Sequence, residues 1–303
     1  MINIDFKSII DLIKAFHDEQ TCIDHLELLR WNGNVISPFD PDSKVYKCKG
    51  NKYRCKNTGK YFNVRTGTLF DNTKIELQKW FMAIYLITGH SKGISSVQLA
   101  KDLDVTQKTA WFMLQRIRNC FGIEDAQLDN EVEIDETYVG GKNKNRHADK
   151  KVQFSQGRSH KDKTPVLGMI ERKGKLIAKK IDNVAGVTIT PEIVKMVKES
   201  SKVYTDEWLG YKGLQRIYDH SFVKHNQGEY VNGRVHTNTI EGFWSLLKRG
   251  IVGIYHFTSK KHLQKYVDEF VFRYNNRNES SQLKFNEMLS NTEHRLKYQD
   301  LTK

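Results

Sequence analysis

Three acidic residues stand out because of what surrounds each of them. Asp135 lies inside Val132-Glu133-Ile134-Asp135-Glu136-Thr137-Tyr138, a short strand-like run. Asp206 closes a second such run, Lys202-Val203-Tyr204-Thr205-Asp206. Glu241 falls in the first turn of an apolar helical segment that opens Asn238-Thr239-Ile240-Glu241-Gly242-Phe243-Trp244. The acids are far apart in sequence, with 34 residues between the last two. Strands and a helix can still bring such acids to one edge of a sheet. Three converging carboxylates in a basic chain suit two Mg²⁺ (or Mn²⁺) ions held against a phosphodiester.

Each acid also has a structural reading. Asp206 could cap the turn into Glu207-Trp208-Leu209. Asn238 and Glu241 fit a capping box, with asparagine as N-cap and glutamate at the third helical position. Glu133 and Glu136 compete with Asp135. Strand alternation places Glu133 and Asp135 on one side and Glu136 on the other. Three acids in matching positions of one topology are harder to explain as caps than any one alone.

The elements that must position these residues are legible from alternation and punctuation. Strands are expected over 132–139, 165–171 and 176–181, the last two joined by the hairpin signal Arg172-Lys173-Gly174-Lys175. Thr190-Pro191-Glu192 reads as a helix start with proline in the first turn. A fourth strand covers Val203-Tyr204-Thr205, with Asp206 at its C-terminal end, and a fifth covers Phe222-Val223-Lys224-His225. This succession, followed by the Glu241 helix, is that of an α/β, ribonuclease H-like, mixed-sheet catalytic domain. Its expected span is 128–290, with 291–303 as a tail. The segment from Gly140 to Lys163 carries eight Lys or Arg residues against Asp149 and Asp162. It is expected to order on DNA.

The first 122 residues divide at about residue 70. Residues 1–20 carry Phe6, Ile9, Ile10, Leu12, Ile13 and Phe16 at helical spacing, and a short helix is expected from Ile23 to Arg30. From Ser43 to Phe70 there are eight Lys or Arg residues and no acid, interleaved with Tyr46, Tyr53, Tyr61 and Phe62. This predicts a small basic β-module. Such a module can neutralise phosphates and stack on exposed bases, or it is a solvated charge run. Lys52, Arg54 and Arg65 are its candidate DNA contacts. A zinc ribbon needs four ligands. Here Thr58 follows Cys55, and Ser37-Pro38-Phe39-Asp40 stands upstream, so at most Asp40, Cys48 and Cys55 could serve and no zinc is expected.

Residues 71–122 read as helices. Ser95 caps a helix through Leu103, and Asp104-Val105-Thr106 turns into a second helix from Gln107 to Arg118. A helix-turn-helix would present Thr106, Gln107, Lys108 and Thr109 to a major groove, with Arg116 and Arg118 as further DNA contacts. A plain helical hairpin has the same pattern.

The net charge of +13 favours a polyanionic partner. No apolar stretch approaches the ~20 residues of a membrane span. The N-terminus reads as an amphipathic helix rather than a signal peptide. Four cysteines in 303 residues make no disulfide framework. A cytoplasmic, nucleoid-associated protein is expected.

Four strings carry a family resemblance. They are Tyr61-Phe62-Asn63-Val64-Arg65-Thr66-Gly67-Thr68, Glu133-Ile134-Asp135-Glu136-Thr137-Tyr138-Val139-Gly140-Gly141-Lys142, His236-Thr237-Asn238-Thr239-Ile240-Glu241-Gly242-Phe243-Trp244-Ser245, and the tail from Lys261 to Arg277. Over about residues 20 to 280 the chain resembles the ISXO-like DDE transposases of bacterial insertion sequences, relatives of the Merlin elements. The resemblance implies Asp135, Asp206 and Glu241 as the metal-binding triad and a zinc ribbon before a helix-turn-helix. This chain lacks the ribbon's full cysteine set. Some relatives place Asn or His at the third acid, which keeps Asn238 as an alternative.

The expected chemistry is two-metal phosphoryl transfer: nicking of the element's terminal repeats, then joining of the 3′ ends to target DNA. Lys248 and Arg249 would hold the phosphate backbone, and a homodimer or higher oligomer would assemble on double-stranded DNA. A DNA-binding regulator with an inactive catalytic domain, or a metal-dependent nuclease, are the competing readings.

Overall fold

The structure, a computed structural model, describes residues 6–122, 127–141, 147–152, 163–224, 227 and 231–302. The chain forms two compact units, residues 1–121 with 278–303, and residues 122–277. No helix among the described residues is long and apolar enough to cross a membrane.

In the first unit, α1 (Ile9–Ala15) starts from a reciprocal cap between Ser8 and Asp11. Asp18 caps α2 (Glu19–Trp31), which ends at Asn32 in the left-handed region. Three short strands follow, β1 (Val45–Cys48), β2 (Lys52–Cys55) and β3 (Tyr61–Phe62), in one antiparallel sheet of that order. Alternation buries Tyr53 and Phe62 on one side, where their rings lie 5.2 and 6.1 Å from Trp31 of α2. Tyr46, Arg54 and Tyr61 occupy the exposed side. Three helices follow, α3 (Leu77–Gly89), α4 (Ser96–Leu103) and α5 (Gln107–Arg118). Ser95 caps α4 and Thr106 caps α5. Between them Asp104 turns through φ 50°, and the Val105 N–H reaches the Ala100 carbonyl at 3.0 Å.

The second unit is built on β4 (Glu131–Val139), which lies at the centre of a five-stranded sheet. β5 (Thr164–Glu171) pairs antiparallel with it, and β6 (Leu176–Lys180) antiparallel with β5. α6 (Gly186–Met196) crosses over to β7 (Lys202–Asp206), which pairs parallel with β4. A 3₁₀ run, Leu209–Arg216, leads to β8 (Asp219–Val223), parallel to β7. The sheet order is β6-β5-β4-β7-β8. Val132, Ile134, Leu167, Met169 and Val203 face Ile189, Ile193, Tyr211 and Leu214 on one side. Val166, Ile170 and Ala178 meet α7 (Asn238–Gly250) and α8 (Leu263–Asn275) through Ile240, Trp244, Val267 and Phe270 on the other.

Beyond α2 starting at Glu19 rather than Ile23, three boundaries differ from the sequence reading in the elements around the catalytic unit. α6 begins at Gly186, so Pro191 is inside the helix rather than in its first turn. The carbonyl that loses its N–H partner belongs to Val187, a residue 87% exposed, where water can satisfy it. β8 covers 219–223 rather than 222–225, and His225 lies outside the described residues. The basic segment from Gly140 to Lys163 falls largely outside them too. Third, α9 (Ser281–Ser290) packs on α3 and α2 of the first unit instead of closing a catalytic domain at 290. The expected tail is packed as well. Thr292 accepts a hydrogen bond from the Leu69 N–H at 2.8 Å, and Leu301 of α10 (Tyr298–Thr302) is buried.

Candidate active site

β4 and β7 run parallel with Glu133 opposite Tyr204. Asp135 and Asp206 each lie two residues further on, so the same register carries them side by side on one face. Asp206 is buried at the end of β7, and its Oδ1 accepts the Trp208 N–H at 3.0 Å, the turn-capping role the sequence allowed. Burial, reinforced by the negative charges of Glu136 and Asp206, pushes the Asp135 carboxyl up to about 7. The Trp244 indole N–H works against that shift, donating to Asp135 Oδ2 at 3.0 Å.

Trp244 reaches Asp135 because the neighbouring strand gives way. Gly168 of β5 pairs directly with Asp135. A Cβ at residue 168 would stand 2.5 Å from the Trp244 ring and 2.8 Å from Ile240. Only glycine lets α7 lie this close over the sheet.

The N-terminus of α7 is held by Glu133, an acid whose role the sequence did not resolve. Its side chain is fully buried. It accepts the backbone N–H groups of Thr239 (2.9 Å) and Ile240 (3.2 Å) and the Thr239 hydroxyl (2.9 Å). The Arg172 guanidinium donates to it at 2.8 Å while lying 4.4 Å over the Tyr204 ring. The expected capping box is thereby corrected. The N-cap is Thr237, with no side-chain cap bond, because a carboxylate from β4 supplies the acceptor. Asn238 is exposed and does not line the acidic cleft. Glu241 is exposed one turn on, and its Oε1 accepts the Thr237 hydroxyl at 3.0 Å.

Asp135, Asp206 and Glu241 line one cleft of about 490 Å³, with Glu136, Lys163, Ser245 and Lys248 among its other walls. Glu136 enters from the opposite strand face, where the buried Tyr211 hydroxyl donates to it at 2.7 Å. Glu241, Ser245 and Lys248 form one stripe of α7. Among the described residues no three His, Cys, Asp or Glu side chains stand together as a ready ion cage. The acidic pair on β4 and β7 has oxygen donors suited to a hard divalent ion, whose charge would relieve the strain on Asp135.

The candidate DNA contacts divide. Lys52, Arg54, Thr106, Gln107 and Lys108 are exposed, and Thr109 is half-buried with its hydroxyl 2.9 Å from that of Thr106. Arg65 is half-buried and paired with Glu19. Arg249 is exposed on α7 but does not line the cleft. Arg116 and Arg118 are corrected, since both are buried. Arg116 donates to the carbonyls of Leu69 (2.8 Å), Asp71 (2.8 Å) and Leu296 (3.2 Å), which fixes the closing segment rather than presenting charge outward.

Two of the zinc-ribbon positions, Ser37 and Thr58, carry hydroxyls. Cys48 and Cys55 point to opposite faces of the small sheet, so they cannot share an ion. Burial raises the Cys55 thiol, but hydrogen bonds from Ser37, Ser43 and Thr58 bring it down to about 6. Asn57 ties this cluster together, donating to Asp40 at 2.8 Å and to Ser43 at 3.0 Å.

Residues 127–275 match the family model described as the ISXO2-like transposase domain. The chain is 30% identical, over 276 residues, to an "uncharacterized protein in transposable element ISH50" of Halobacterium salinarum, covering 86% of this chain and 92% of that one. An "uncharacterized transposase-like protein" of Haemophilus influenzae is 30% identical over 34% of this chain and 83% of its own length. Among solved structures, the Mos1 strand transfer complex aligns over 92% of both chains at 12% identity with a TM-score of 0.28. A pre-cleavage Mos1 transpososome aligns over 93% of this chain and 95% of that one, also at 12% identity, with a TM-score of 0.26. Likeness at those scores carries no weight.

Proposed function

This chain belongs to the ISXO2-like transposase family, and from that premise we propose that it nicks the terminal inverted repeats of an insertion sequence and joins their 3′ ends to target DNA. The observation that carries the reading is the shared register of Asp135 and Asp206 on adjacent parallel strands, with Glu241 on the same cleft. The sheet order, three antiparallel strands followed by two parallel ones, supports a ribonuclease H-like catalytic unit.

Asp135, Asp206 and Glu241 would hold divalent metal. Bound there, two such ions supply an activated water or 3′-hydroxyl and charge stabilisation for the leaving oxygen. The chain's own residues do the rest. Asp135 gives up its proton when the site loads. Trp244 fixes its carboxylate, and Glu133 anchors the helix that carries Glu241. Lys248, on the Glu241 stripe, meets the phosphate backbone. Thr106, Gln107 and Lys108 at the start of α5 approach a major groove, and Lys52, Arg54, Arg65 and Arg249 add phosphate contacts. Such enzymes would act as a dimer or larger assembly on the paired ends.

A duplex carrying an element end, incubated with the protein and Mg²⁺, should give a nick with a free 3′-hydroxyl and then a joined product. A nick without joining would favour a nuclease, and binding with neither would favour a regulator. The ribbon module should need no zinc. Elemental analysis is expected to find far less than one zinc per chain after dialysis, and a stoichiometric, dialysis-resistant zinc would contradict this.

A further inference from the structure

The outward face of the small sheet is composed almost wholly of cations and tyrosines. Tyr46 pairs with Arg54, and Arg54 pairs with Tyr61, so the three form one row across β1, β2 and β3. Tyr46 is 43% exposed and Tyr61 60%. The Lys44 ammonium lies 5.5 Å from the Tyr46 ring centre, and the Arg54 guanidinium 5.9 Å from that of Tyr61. Lys52 shares this face through its pairing with Cys48. Lys56 extends it, its N–H bonded to the Lys44 carbonyl at 2.9 Å. The buried face is filled by Tyr53 and Phe62 against Trp31, so neither exposed tyrosine is needed for the core.

A duplex hides its base faces within the stack and offers phosphates and groove edges. An exposed tyrosine ring gains little from those. Unpaired bases present π-faces to such rings, and basic side chains between the rings can follow the backbone. Tyr46 and Tyr61 stand two strand spacings apart, roughly 10 Å, with the Arg54 cation between them.

We propose that this face binds single-stranded DNA, with Tyr46 and Tyr61 each stacking on a base and Lys44, Lys52, Arg54 and Lys56 meeting the phosphates. The proposal rests on the reading that the chain acts on DNA, where cutting and joining expose unpaired ends.

The test is fluorescence anisotropy on the full chain, with labelled oligothymidylate and, separately, a labelled duplex carrying an element end. Tyr46→Ala and Tyr61→Ala should each weaken oligothymidylate binding at least about fivefold, with duplex binding unchanged. Tyr46→Phe and Tyr61→Phe should bind like the parent, because the ring is what stacks. Thermal melts of all four should coincide with the parent's. Unchanged oligothymidylate binding by the alanine variants, or equal losses on both DNAs, overturns the proposal. Parent protein that binds duplex but not oligothymidylate also overturns it, and leaves the transposase reading standing. Failure to bind either DNA removes both.

Discussion

The carboxylate of Glu133 accepts two hydrogen bonds from Thr239, one from the backbone N–H and one from the hydroxyl, each at 2.9 Å. These bonds tie the central strand to the helix that carries Glu241. Their energy is charge-assisted and sheltered from water, so it should exceed that of an ordinary surface cap. Glu133→Gln keeps the shape but leaves Arg172 facing a neutral amide. It should cost about 2–4 kcal/mol in urea unfolding and reduce nicking, although Glu133 touches no substrate. A stability change below about 0.5 kcal/mol would show that α7 is anchored some other way.

The pH dependence of the metal-free protein follows from two half-buried carboxyls. Asp135 is raised to about 7 by burial and by the Glu136 and Asp206 charges, and Asp268 is raised to about 7 chiefly by burial. Unfolded, both titrate near 4. Between these values the folded state holds protons that the unfolded state has lost. The stability they contribute is complete below pH ~4 and is lost as pH rises through ~7. Mg²⁺ must displace the Asp135 proton, so the rise in Tm on adding Mg²⁺ should grow over the same interval. Asp268→Asn should flatten part of the metal-free slope and leave the Mg²⁺ response intact. A Mg²⁺ effect independent of pH would contradict the assignment.

Surface and buried cations of α5 should separate cleanly. Lys108→Ala removes an exposed charge and should weaken duplex binding, lower its salt dependence and leave the melting temperature unchanged. Arg116→Ala strands three carbonyls and should cost about 2–4 kcal/mol. Gel shift and thermal melts on the two variants check this. An Arg116→Ala protein as stable as its parent, with weakened DNA binding, would restore that arginine to the DNA-facing set.

The strand positions of Asp135, in the middle of β4, and Asp206, at the end of β7, were readable because a period-two apolar pattern marks strands. Parity also placed Glu133 beside Asp135 and Glu136 opposite. Parity could not show what Glu133 would meet, since its partners at residues 239 and 240 arrive by tertiary packing. The same gap explains Arg116 and Arg118. Both arginines end a helix and look solvent-facing from the sequence; Arg116 is instead covered where Leu69, Asp71 and Leu296 bring their carbonyls to it, and nothing local announces that return. Asn238 beside Glu241 imitated a capping box, whereas the acceptor came from another element. Gly168 carried a signal that went unused, a glycine within an apolar strand marking close approach.

The triad is tested most directly by Asp206→Asn, assayed for nicking of an element-end duplex in Mg²⁺ and in Mn²⁺ alongside gel-shift binding of the same duplex. The substitution preserves size and the acceptor for the Trp208 N–H but removes one of the two paired charges. Cleavage should be abolished with both ions while binding is retained. Cleavage at the parental rate by a variant that binds normally would contradict the assignment of Asp206, and with it the account of the Asp135–Asp206 pair as the metal site.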